Sequence, residues 1–200
     1  MSALTDLYTE IGNCRLCELG YQRNRAVPGE GPENSLIAFI GEAPGWHEDQ
    51  QGRPFVGPAG QFLDELLSLI GKKRQDVYIC NVLKCRPPGN RDPLPTEIKT
   101  CQSWLDQQLK VLRPKMIVTL GRYSMARFFP GEIISRIHGK ARRDGDIIYF
   151  PMYHPAAALH QQSLRETIKA DMLRIPSLLA EGGEAPEDGS VERPQQLSLL

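Results

Sequence analysis

The chain carries four short apolar runs, at residues 35–40, 77–82, 116–120 and 147–152, and each is followed by a stretch of helical periodicity. That alternation leaves few architectures open. Runs of five or six apolar residues read as buried strands, and strands separated by helices pair in parallel rather than as hairpins. The crossovers are right-handed, and helices cover both faces of the sheet. Helical spacing is read at 59–70, where Phe62, Leu63, Leu66, Leu67 and Ile70 share a face and Gly71 ends the run. It recurs at 96–112, with Thr96 as N-cap and Pro114 beyond the end, then at 121–129 and 164–179. The expectation is a three-layer αβα domain of the α/β class, with a central four-stranded, mainly parallel sheet.

Two hundred residues suit one hydrophobic core, and residues 1–180 are read as that domain. From Glu181 the composition turns small, acidic and proline-bearing, so 181–200 is read as a disordered tail. Charged residues interrupt every apolar run before it is long enough to span a bilayer. The amino terminus lacks the basic and apolar blocks of a secretory signal. The expectation is a cytoplasmic monomer without a membrane partner. Lys plus Arg and Asp plus Glu number 24 each, which argues against coating nucleic acid by bulk charge and leaves room for a local basic face. Five cysteines in such a chain point to metal ligands or buried thiols rather than disulfides.

The unusual residues gather where the strands end. Gly41-Glu42-Ala43-Pro44-Gly45 follows the first strand, Asn81 closes the second, and His154-Pro155 follows the fourth. In open α/β sheets ligands bind outside the carboxyl ends of the strands, so these segments converge on one crevice. Glycines at 41 and 45 permit close backbone approach to a ligand, while Glu42, Glu48 and Asp49 are carboxylates able to orient water or stabilise developing positive charge. Phe55, bracketed by glycine and proline, suits a base-stacking platform. Asn81 presents a donor and an acceptor in one plane, fit for the edge of a base. His154 can donate a hydrogen bond to a developing oxyanion. Leu159, in a loop beyond it, suits a wedge between base pairs. Each has an ordinary structural alternative; the common location makes them a set.

Cys14 and Cys17 have metal-ligand spacing, and Cys85 and Cys101 lie where the fold can bring them alongside. Four thiolates suit zinc or a [4Fe–4S] cluster, and spacing does not choose between them. Cys80, inside a strand, reads as a buried thiol. Lys84, Arg86, Arg91 and the basic residues of 136–143 are candidate phosphate contacts or a solvated basic face.

Together these motifs resemble the type 4 uracil-DNA glycosylases, the iron–sulfur branch of that superfamily, over roughly residues 7–179. The resemblance rests on Cys14-x2-Cys17, on residues 41–49, on Arg53-Pro54-Phe55-Val56-Gly57, on Asn81-Val82-Leu83-Lys84-Cys85-Arg86-Pro87-Pro88, on Asn90-Arg91, on Cys101 and on His154-Pro155. Ala156 and Ala157 stand where the family more often has a serine first. The resemblance implies a structural [4Fe–4S] cluster on Cys14, Cys17, Cys85 and Cys101, tying an amino-terminal arm to the domain. It implies excision of uracil from single- and double-stranded DNA. Gly41, Ala43, Phe55, Asn81, Asn90 and His154 would bind the base, and Arg86 and Arg91 would contact DNA. Glu42, Glu48 or Asp49 would stabilise the sugar cation or position water, with Glu48 also a candidate wall against the thymine methyl.

The last residues, Gln196, Leu197, Ser198, Leu199 and Leu200, resemble the peptide by which partners bind bacterial sliding clamps. Two other classes compete with the enzyme reading. A non-catalytic iron–sulfur DNA-binding protein would not need the carboxylates, Asn81 and His154 together. A zinc-dependent nucleotide hydrolase would need an open metal position that four cysteines do not leave.

Overall fold

The computed structural model describes residues 2–181; Glu181 closes the last helix, and the rest of the tail with its terminal peptide lies outside the described residues. In chain order the elements are α1 (Ala3–Asn13), α2 (Leu19–Gln22), β1 (Ile37–Gly41), α3 (Trp46–Gln51), α4 (Pro58–Leu69), β2 (Tyr78–Asn81), α5 (Pro95–Leu112), β3 (Met116–Leu120), α6 (Arg122–Phe128), α7 (Ile134–Ile137), β4 (Arg142–Asp144), β5 (Ile147–Met152), α8 (Ala157–His160), α9 (Gln162–Met172) and α10 (Ile175–Glu181). The α/β class and the layered plan agree with the sequence. None of the described helices is long and apolar enough to cross a membrane.

The sheet has five strands, not the expected four, in the order β2-β1-β3-β5-β4. The first four run parallel, and β4 pairs antiparallel with β5 through Arg142↔Tyr149, Arg143↔Ile148 and Asp144↔Ile147. The additional strand takes the last two residues of the basic run at 136–143 and Asp144 after it. All three of its residues are exposed and charged, so it gives no apolar signal. Short charged edge strands of this kind discourage further strand addition.

Strand alternation divides the core in two. Ile37 and Phe39 of β1, Val118 of β3 and Phe150 of β5 pack with Phe62, Leu63 and Leu66 of α4 and with Ile168, Met172 and Ile175 of α9 and α10. Ala38 and Ile40 point the other way, joining Ile117, Leu4 and Leu7 of α1, and Leu105 and Leu112 of α5. Helix ends shift by one or two residues from those expected, and two differences have a physical consequence. α5 begins at Pro95, not after Thr96, and the Glu97 carboxylate accepts the Leu94 N–H at 2.8 Å in place of a threonine cap. The closing helix is two helices, broken between Met172 and Ile175.

Candidate active site and cysteine recess

The carboxyl ends of β1, β2 and β5 open into a cavity of about 190 Å³, whose walls include Glu42, Ala43, Gly45, Glu48, Phe55, Asn81, Asn90 and His154. Gly41 and Asn81 are register partners at the ends of β1 and β2. Asn81 is only 2% exposed, and its Oδ1 has no hydrogen-bond partner within the protein. A buried polar atom left unpaired costs about 1–3 kcal/mol, so an orphan on a cavity wall points to a ligand with a donor.

Phe55 forms another wall with an unusual backbone, at φ 52°. Such a conformation persists when its surroundings over-determine it, and here they do. Arg74 donates to the carbonyls of Pro54 and Phe55, at 2.5 and 3.0 Å, while Glu30 holds the guanidinium at 2.6 Å. On the other side a Cβ at Gly60 would lie 1.7 Å from the Phe55 carbonyl oxygen, so only glycine fits there. The Phe55 ring is stacked with the His154 ring, their centroids 5.5 Å apart and their planes 23° from parallel.

His154 follows β5, and its Nδ1 accepts the Ala156 N–H at 3.1 Å. That bond places the ring proton on Nε2. Burial pushes the imidazole down to about 4, against an opposing pull from Glu48. At neutral pH the ring is an uncharged donor.

The three carboxylates have separate fates. Glu48 accepts the N–H groups of Val56 and Gly57 at 2.8 Å each and of Gly45 at 3.1 Å, tying the loop after β1 to the Phe55 loop. Asp49 lies outside the cavity walls, and its carboxylate accepts the Asn24 backbone N–H at 3.0 Å and the Asn24 side-chain amide at 2.5 Å. Glu42 lines the cavity and is pushed up to about 7, chiefly by burial and secondarily by Asp92, with Arg122 pulling the other way. That value lies near neutrality, the range that proton exchange at neutral pH requires.

Cys14, Cys17, Cys85 and Cys101 line one recess, joined by Arg23 and Lys84. Arg23 Nη1 donates to Cys85 Sγ at 2.9 Å. Among the described residues no three Cys, His, Asp or Glu side chains are gathered around a single ion position. The donor set nevertheless fits an anionic multi-iron group. Arg23 donates to one of the four sulfurs, the buried Lys84 lines the same recess, and positive charge in such a place is stable only beside negative charge. Cys80 is fully buried in β2, as expected for a structural thiol.

Residues 28–174 match the family model described as the uracil DNA glycosylase superfamily. The chain is 44% identical to the type-4 uracil-DNA glycosylase of Sulfurisphaera tokodaii, over 89% of this chain and 86% of that one. It is 45% identical to the corresponding protein of Archaeoglobus fulgidus, over 89% and 94%, and 39% identical to that of Thermotoga maritima, over 86% and 93%. The chain belongs to the type 4 uracil-DNA glycosylase family.

Within this family member the structure brings Glu42, Ala43, Glu48, Phe55, Asn81, Asn90, Arg91 and His154 to one cavity and leaves Asp49 behind it. Gly41 lies beneath, against Asn81 and Phe55. The two candidate DNA-contacting arginines are already engaged: Arg86 Nε donates to Asn90 Oδ1 at 2.7 Å, and Arg91 pairs with Glu97 at 2.6 Å. Leu159, on α8, is 47% exposed and stands five residues beyond His154. Lys84, a candidate phosphate contact by sequence, is buried and faces inward. Arg74 and Gly60, which fix Phe55, are functional residues that no strand-end or motif signal marks. Their partners are defined only by the fold, although an isolated glycine in an amphipathic helix hints at close approach.

Proposed function

We propose that this chain hydrolyses the N-glycosidic bond of deoxyuridine in single- and double-stranded DNA, the first step of base-excision repair. The observation that carries the reading is the orphaned Asn81 Oδ1 in a cavity walled by Phe55. Uracil offers an N–H beside a carbonyl, which a planar amide can read with one acceptor and one donor. Cytosine has no N–H at that ring position, so it would leave the acceptor unpaired. Such mismatches discriminate by roughly 10⁴ or more.

The flipped base stacks on Phe55 and pairs with Asn81, with Gly41, Ala43 and Asn90 shaping the pocket. As the C1′–N1 bond breaks, its electron pair leaves with uracil, and the neutral His154 Nε2–H donates to the uracil oxygen where negative charge collects. The sugar becomes oxocarbenium-like, and a water adds to C1′, yielding free base and an abasic site. Glu42, ionised, orients that water and accepts its proton. Glu48 holds the Phe55 loop in place and presents the wall that the thymine methyl would strike. Arg86 and Arg91 contact the DNA backbone, and Leu159 fills the space the flipped nucleotide vacates.

Cys14, Cys17, Cys85 and Cys101 hold a [4Fe–4S] cluster, which when bound supplies a structural cross-link between the amino-terminal arm and the domain. Asp49, through Asn24, secures the same arm. Residues 196–200 recruit the enzyme to a sliding clamp; deleting them should abolish clamp pull-down and leave uracil release intact. The protein acts as a monomer in the cytoplasm.

The test is an oligonucleotide carrying one uracil, incubated with the purified protein and cleaved with alkali at abasic sites. Cleavage at that position, lost by about 10²-fold or more in Asn81→Ala and His154→Ala, is the expected result. Absence of cleavage by iron-replete protein would end this reading.

A further inference from the structure

We infer that Lys84 is a positioning residue for Asn81, and that its ammonium is balanced by the sulfurs of the neighbouring cysteine recess; the second part rests on the cluster reading above. Lys84 is 1% exposed, and its Nζ donates to the Asn81 backbone carbonyl at 2.7 Å. The same residue lines the recess with Cys14, Cys17, Cys85 and Cys101. One residue therefore both holds the backbone of Asn81 and lines the cysteine recess.

The Asn81 contact matters because Oδ1 has no protein partner to aim it. The direction of that side chain is inherited from its backbone, and the backbone is held on one side by register with Gly41 and on the other by Lys84. Lys84 is itself fixed at the main chain, where its carbonyl accepts the Val27 N–H at 2.8 Å.

The charge matters because a buried ammonium beside only a carbonyl and the Cys80 thiol, with no carboxylate, is poorly compensated. Among the described residues no carboxylate pairs with Lys84 or with Arg23, the other cation of the recess. A cluster whose four thiolates leave it negative overall supplies what the two cations lack. Filling the recess then stabilises Lys84 where it holds Asn81.

The test compares Lys84→Met and Lys84→Gln with wild type as holoproteins. Three quantities are measured: iron and sulfide content, the cluster's reduction potential, and affinity for duplex DNA containing a 2′-fluorinated deoxyuridine that resists cleavage. Methionine removes both donor and charge. It should weaken analogue binding by about tenfold or more, with binding to undamaged duplex unchanged, and should lower the potential, since a reduced cluster loses a nearby cation. Glutamine restores a donor without charge, so binding should recover while the potential stays low. An iron-replete methionine variant with wild-type affinity would overturn the positioning role. Wild-type potentials in both variants would overturn the charge balance. If the methionine variant does not fold, glutamine with a wild-type potential, or with binding as weak as undamaged duplex, has the same force. Wild-type protein free of iron and sulfide would refute the cluster reading, leaving the positioning role to the binding arm.

Discussion

A Cβ on Gly41 would stand 2.4 Å from Asn81 Oδ1 and 2.6 Å from the tip of the Phe55 ring. These two residues of paired strands thus share a space with no room for a methyl group, and Phe55 occupies the remainder. Gly41→Ala must displace the amide or the ring. Uracil release should fall by about 10²-fold, the usual effect of moving a reacting group by about 1 Å. Stability should drop by only about 1–3 kcal/mol. Single-turnover rates beside denaturant midpoints check this; an alanine variant of wild-type rate would show that the two walls need not converge.

The pH profile should be set by Glu42. With its carboxyl pushed up to about 7, the rate should rise with pH through that value, and Glu42→Gln should be slower and lose that limb. His154, pushed down to about 4, should contribute no limb above that. A limb near 6.5 persisting in Glu42→Gln would assign the titration to histidine.

Stability follows the same two groups with opposite signs. The unfolded chain protonates His154 near its ordinary value of 6.5 while the folded chain refuses the proton until about 4, so its contribution is lost as pH falls through that window. Glu42 charges near 4.5 when unfolded and near 7 when folded, so its contribution is lost as pH rises from 4.5 toward 7. Melting temperatures of Glu42→Gln should therefore gain on wild type across that rise.

Glu48 and Asp49, adjacent in sequence, should separate on mutation. Glu48→Gln replaces one of two accepting oxygens by an amide facing backbone N–H groups. It should cost about 1–3 kcal/mol and slow uracil release, because the Phe55 loop loosens. Asp49→Ala should cost a comparable stability with a smaller effect on rate, and hydrogen exchange should rise around Asn24. Equal rate losses would place Asp49 in the chemistry.

Leu159→Ala should slow excision from duplex by about tenfold while sparing single strands, where no stack has to be opened. Equal effects on both substrates would remove Leu159 from base flipping.

Much of the site was legible because its residues sit at strand ends, and apolar runs mark strand ends well. That logic alone places Gly41, Asn81 and His154. The edge strand at Arg142 to Asp144 was not legible, since a solvated charged strand has no apolar alternation to reveal it. The break at Leu173 and Arg174 was hidden because the apolar spacing continues through it.

The sequence by itself determined the layered α/β plan, the crevice and the family motifs, since all depend on local periodicity and on residue types with narrow uses. Only the tertiary structure sorted the carboxylates at 42, 48 and 49, turned Lys84 inward, and set Arg74 and Gly60 behind Phe55. Those outcomes are choices of partner and of burial. A carboxylate is left free or held as a strut according to whether the chain delivers backbone N–H groups to it, and that delivery comes from other segments of the fold.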